Sequence, residues 1–110
     1  METNFNFKSI LQVWDDYHSL FVFSDDGSVS CRLCFDHDGP NATISDLYVQ
    51  EDSRRQGGAT AIINWCLEEA KAQKYLTVSL RSDNDDWIRE WYKRMGFEVE
   101  PSPVWLKKRI

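Results

Sequence analysis

Leu47-Tyr48-Val49, then Gln50-Glu51-Asp52-Ser53, then Arg54-Arg55-Gln56-Gly57-Gly58-Ala59-Thr60 is the stretch that decides how this chain folds. The first three residues close an apolar strand pattern, and the next four form a polar turn. From Ala59 onward, apolar side chains fall at 59, 62, 63, 66, 67 and 70, the stripe of an amphipathic helix starting near Gly57 and ending near Gln73. A strand that turns through glycines into a helix leaves the first N–H groups of that helix without intrahelical acceptors. Together with the positive end of the helix dipole they form an anion site. Gly57, lacking a Cβ, lets the backbone approach a ligand closely. The same residues would also make an ordinary strand–loop–helix connection.

Upstream, Leu20-Phe21-Val22-Phe23 reads as a short strand and Asp25-Asp26-Gly27 as a hairpin turn. Residues 29–35 return as a second strand, and 42–49 complete an antiparallel meander. In residues 1–18, Asn4-Phe5-Asn6-Phe7 alternates like a strand, Ile10, Leu11, Val13 and Trp14 fit a helix or a strand equally well, and Asp15-Asp16 reads as a turn. Downstream, residues 75–80 are rich in β-formers. Asn84 or Asp85 can cap a helix carrying Trp87, Ile88, Trp91, Tyr92 and Met95 on one face and stopping at Gly96. Phe97-Glu98-Val99 and Val104-Trp105-Leu106 begin two further strands, and Lys107-Lys108-Arg109 reads as a solvated end. The order of elements predicts a mixed, mostly antiparallel α/β sheet with two main helices in a single domain, 1–110.

A chain of 110 residues that is 42% hydrophobic can bury one core without staples. The net charge of −5 argues against a nucleic-acid partner, which selects for a basic face, and suits a small cationic one. No apolar run reaches the length of a membrane span and no leader-like N-terminus is present, so the expected setting is cytoplasmic. Three cysteines fit free thiols in a reducing compartment. Cys31 and Cys34, three apart in a strand, point to opposite faces, so neither they nor His37 suggest a metal site. Cys66 falls on the apolar stripe of the helix, where burial is expected.

Arg54-x-x-Gly57-x-Ala59, five residues after Val49, resembles the pyrophosphate loop of the GNAT superfamily of acyl-CoA-dependent N-acyltransferases. Tyr92-Lys93-Arg94-Met95-Gly96-Phe97 resembles that family's second signature, Tyr-x-x-x-Gly-Phe, about thirty-five residues further on. The resemblance runs from Ser19 to the C-terminus. It implies a sheet splayed open between the strand before the loop and the strand after the central helix. It implies acetyl-CoA as co-substrate, held by Leu47, Tyr48 and Val49, by the loop and helix start Arg54, Arg55, Gln56, Gly57, Gly58, Ala59 and Thr60, and near Asn84 and Asp85. It also implies that the Val49 N–H polarises the thioester carbonyl and that Tyr92 protonates the departing sulfur. A phenol, with an ordinary pKa near about 10, can do this as the thiolate leaves. Packing in the helix face is the other role open to Tyr92.

The chain also departs from the family pattern. Where relatives carry a Glu or His base before the loop, this sequence has Ser45 and Thr43, and strand alternation turns Asp46 to the other side. Asp85 stands where an Asn is usual. Eighteen residues cannot supply the two helices that precede the meander in most relatives, so the N-terminal helical pair is reduced or absent and the acceptor side is open or completed by another subunit. Two readings follow: an N-acetyltransferase for a primary amine on a small molecule or protein, by direct attack in a ternary complex, or a catalytically silent GNAT-fold protein that binds a macromolecular partner, with or without CoA. The apolar residues of 1–18 suggest a homodimer in either case.

Overall fold

The computed structural model describes residues 5–13, 18–36, 39–51, 57–81, 86–99 and 105–110, with the backbone alone for 86–88. Arg54, Arg55, Gln56, Asn84, Asp85 and His37 lie outside the described residues. Seven strands and two helices follow one another as β1 (Phe7–Val13), β2 (His18–Ser24), β3 (Val29–Phe35), β4 (Asn41–Val49), α1 (Gly58–Ala72), β5 (Thr77–Arg81), α2 (Asp86–Arg94), β6 (Glu98–Val99) and β7 (Trp105–Arg109). They form one sheet in the order β1-β2-β3-β4-β5-β7-β6. Among the described strands the β4–β5 pair alone is parallel, with α1 between the two strands in the chain.

Within the described part of the first eighteen residues, the ambiguity of the pattern resolves as a strand over Phe7–Val13. β1 pairs antiparallel with β2 along its whole length, from Phe7↔Ser24 to Val13↔His18. Only four residues separate the two strands, which leaves no room for a helical pair between them. The basic end is not a free tail either. Lys107, Lys108 and Arg109 belong to β7 and pair with Ser79, Val78 and Thr77 of β5, because an edge that β5 would otherwise expose is hydrogen-bonded by them.

The β2–β3 hairpin is closed by Asp26. Its Oδ1 accepts the Ser28 N–H at 3.0 Å, the Ser28 hydroxyl at 2.7 Å and the Ser24 hydroxyl at 2.8 Å. These bonds, the Ser28 N–H foremost, hold the carboxyl down at about 2. Gly27 supplies the left-handed residue of the turn, at φ 74°.

α1 lies across β3, β4 and β5 and buries Gly58, Ile62, Ile63, Cys66, Leu67 and Ala70, the stripe expected from the sequence. Facing it are Leu20, Val22, Val29, Cys31, Leu33, Phe35, Ala42, Ile44, Val78 and Leu80, the inward residues of alternating strands. The Cys31 and Cys66 sulfurs meet at 3.5 Å in this layer. Cys34 points to the opposite face, so the CxxC spacing brings no two thiols together. Hydrogen bonding to Cys31 and burial push the Cys66 thiol far above its ordinary range, which keeps it protonated and inert.

Both helices stop in the same way. At the end of α1, Tyr75 N–H bonds Ala70 O and Lys74 N–H bonds Lys71 O, with Lys74 left-handed at φ 71°. At the end of α2, Phe97 N–H bonds Tyr92 O and Gly96 N–H bonds Lys93 O, with Gly96 at φ 96°. This is a Schellman cap, whose 6→1 and 5→2 bonds satisfy the last carbonyls of a helix.

Candidate active site

Residues 41–44 of β4 run parallel to β5 in the register Asn41↔Thr77, Ala42↔Val78, Thr43↔Ser79 and Ile44↔Leu80. Side chains reinforce the seam: Asn41 Oδ1 accepts the Thr77 hydroxyl at 2.8 Å and the Ser79 hydroxyl at 3.0 Å. The ladder ends at Ile44↔Leu80, although β4 continues to Val49 and β5 to Arg81. The cause lies on the other flank of β4. Arg32 of β3 pairs with Ser45 and Ser30 with Tyr48, so two steps on β3 oppose three on β4. The extra residue forms a bulge, with Asp46 left-handed at φ 54°. A bulge bends its strand and sharpens its twist, here carrying the far half of β4 away from β5.

The gap left by this divergence is a cleft of about 550 Å³ lined by Thr43, Ile44, Ser45, Asp46, Leu47, Leu80, Arg81, Tyr92 and Trp105. That volume is within the usual range for a small-molecule site. The bulge also corrects the expectation for Asp46. Alternation fails at the left-handed residue, and Asp46 stands on the cleft wall instead of facing away. Its carboxylate lies 3.7 Å from the Arg32 guanidinium, in a mostly exposed pair that adds little stability.

Beyond the cleft wall, β4 carries Tyr48 and Val49. Gln50 N–H bonds Ser28 O, so in the alternation of an antiparallel pair the Val49 N–H and C=O turn away from β3, toward the side β5 has left. α1 then begins at Gly57, left-handed at φ 83° and ψ 9°, with no side-chain cap on the helix N-terminus. Gly58 lacks a side chain for another reason. A Cβ there would sit 2.6 Å from Val29 Cγ2 and 3.3 Å from Phe5 Cζ, so its place against the core demands glycine whatever its N–H binds. Ala59 and Thr60 are half-buried in the first turn.

Tyr92 reaches the cleft from α2, and the helix cap explains why. It is the C3 residue of the Schellman motif, Gly96 is C′ and Phe97 is C″, the pair whose apolar contact usually accompanies the motif. The Tyr92 and Phe97 rings meet edge-on at 6.2 Å. The Tyr-x-x-x-Gly-Phe spacing is thus the spacing of one helix cap, and it fixes the ring that faces Thr43, Ser45 and Leu47. Tyr92 is buried, and the Trp91 ring lies tilted beside it, the centroids 5.0 Å apart. Arg81 and Trp105, cross-strand partners on β5 and β7, complete the wall. Sequence reasoning passed over both, because a wall residue at the end of a strand has no periodic signal of its own.

The GNAT acetyltransferase domain family matches residues 16–99. No curated protein sequence matches the chain significantly. Among solved structures, a Bacillus subtilis acetyltransferase in complex with CoA superposes with a TM-score of 0.76 at 10% identity, over 97% of this chain and 99% of that one. An Elizabethkingia anophelis GNAT family acetyltransferase with acetyl-CoA bound gives 0.72 at 11% identity, over 96% and 99%. The ribosomal-protein-S18-alanine N-acetyltransferase of Escherichia coli gives 0.69 at 17% identity, over 89% and 72%.

Proposed function

Because the chain belongs to the GNAT acetyltransferase family, we propose that it transfers the acetyl group of acetyl-CoA to a primary amine by direct attack in a ternary complex. The observation that carries this reading is the meeting, in one cleft, of the released half of β4 with Tyr92. A thioester arm laid along β4 would find the main chain of Val49 beside it, with its N–H toward the carbonyl, where developing negative charge benefits most from a fixed donor. The N–H groups from Gly57 to Thr60, with Arg54 and Arg55 before them, would take the phosphates. Gln56, Asn84 and Asp85 remain assigned to the cofactor side by resemblance alone.

In the reaction the neutral amine forms a bond to the thioester carbonyl carbon and the C–S bond breaks. The Tyr92 hydroxyl gives its proton to the leaving sulfur and regains one from solvent. The amine's own proton leaves through water, since Ser45 and Thr43 on the wall are not bases at neutral pH. The net charge of −5 favours a cationic acceptor, a small molecule or a protein amine. Three free thiols support a reducing, cytoplasmic setting. Calorimetry with acetyl-CoA tests the reading: one-to-one binding in the micromolar range is expected. Silence at about 1 mM, an affinity below about 4 kcal/mol, would favour a partner-binding protein instead.

A further inference from the structure

The two edges of the sheet are built differently. At one end β6 is two residues long and carries Glu98, the short charged edge with which proteins discourage strand addition. At the other end β1 is seven residues long, and its ladder to β2 runs without a bulge. It contains no proline and no acid, and its one charge, Lys8, is paired with Asp25 at 3.6 Å. Ile10, Leu11 and Val13 are 53%, 58% and 73% exposed along it.

Asp25 N–H bonds Asn6 O, which marks the even residues of β1 as those hydrogen-bonded to β2. The N–H and C=O groups of Phe7, Ser9, Leu11 and Val13 therefore point outward from the sheet. We propose that this edge pairs antiparallel with β1 of a second copy, about a two-fold axis through Ile10, to make one sheet continuous across a homodimer. The proposal is independent of the acetyl-transfer reading.

The register follows from symmetry and the outward groups. Ile10 is the midpoint of Phe7–Val13, so a two-fold there pairs all seven residues of each strand. The outward groups of Phe7 meet those of Val13 of the second copy, and those of Ser9 meet those of Leu11. Ile10 faces its own symmetry mate as a non-hydrogen-bonded pair, the closer kind of side-chain contact. Apolar Phe7 then lies opposite apolar Val13, and Lys8 lies opposite Gln12, so no like charges oppose each other.

On the face away from α1, Ile10 stands beside Phe21, its partner on β2, and Phe21 stacks on Phe23 at 5.5 Å. Phe21 is itself 36% exposed. The two-fold joins both Ile10–Phe21 patches into one apolar strip, which a single copy leaves in water. An interface of one strand pair is smaller than the roughly 1,200 Å² of stable interfaces, so association is expected to be weak and concentration-dependent.

Sedimentation velocity from about 2 to 500 μM reads this directly. The weight-average mass of the wild type should rise from 12.9 kDa toward twice that value. Ile10→Lys, which puts two ammonium groups at the axis, should leave a monomer throughout, and Leu11→Lys should weaken association at least tenfold. Circular dichroism and acetyl-CoA calorimetry should be unchanged in both, since both side chains are exposed and remote from the cleft. A wild type that stays monomeric over the whole range overturns the proposal. So does a dimer that both substitutions leave intact, which would place the interface elsewhere.

Discussion

β4 is a single strand whose two halves have opposite relations to β5. Residues 41–44 are bound to it by a parallel ladder and by Asn41, which takes two hydroxyls from across the seam. Ser45, Tyr48 and Val49 keep their pairing to β3, but the strand leaves β5 behind around the bulge at Asp46. The first half is anchored to its neighbour and the second lines the cleft. The lesson is that a sheet can open a ligand cleft in its own interior with one extra residue, provided the strand is firmly anchored just before it.

The largest effect expected from separating these roles is on catalysis. Tyr92→Phe removes one hydroxyl from a residue that lines the cleft and keeps the ring that packs on Phe97. Turnover should fall about ten- to a thousand-fold, in kcat and not in KM, because the proton is needed only as the C–S bond breaks. Acetyl-CoA affinity should hold. Full turnover on a verified acceptor would reduce Tyr92 to packing, and equal loss of binding and turnover would place its hydroxyl in cofactor contact.

Next in size is the anchored half. Asn41→Ala strips the acceptor from the Thr77 and Ser79 hydroxyls and should cost about 1–3 kcal/mol in urea unfolding. Acetyl-CoA affinity should change by less than about twofold in the same variant. A loss of affinity larger than the loss of stability would mean that the two halves are not separable.

Smallest is the bulge residue itself. Asp tolerates the left-handed conformation better than a β-branched residue does, so Asp46→Val should destabilise by about 1–2 kcal/mol while Asp46→Gly costs nothing measurable. The ion pair to Arg32 is too exposed to reverse that order. Equal melting temperatures for the two variants would show that the bulge is held by its surroundings and not by the residue in it.

How legible each part was follows from the same contrast. The meander, α1 and its buried stripe were readable because their signals are periodic and local: alternation over 29–35 and 42–49, and apolar spacing from Ala59 to Ala70. The glycine-led helix start and the Tyr92-to-Phe97 spacing were readable as signatures, and the second has a physical cause in the helix cap. Asp46 was misplaced because a single left-handed residue cancels the period-two rule on which its assignment rested. Lys107-Lys108-Arg109 was misread because a basic run resembles a solvated end unless the strand it pairs with is known. β1 was undecidable from its own residues, since its apolar pattern fits two periods and only β2 selects one.

The claim that the released half of β4 and the start of α1 together hold the acyl donor is tested most directly by backbone amide chemical shifts during an acetyl-CoA titration. The amides of residues 47–49 and 57–60 should move together with a single binding isotherm, while those of residues 41–44 and of β1 and β2 stay in place. Shifts confined to β1 and β2, or saturation with the 47–49 amides unmoved, would contradict it.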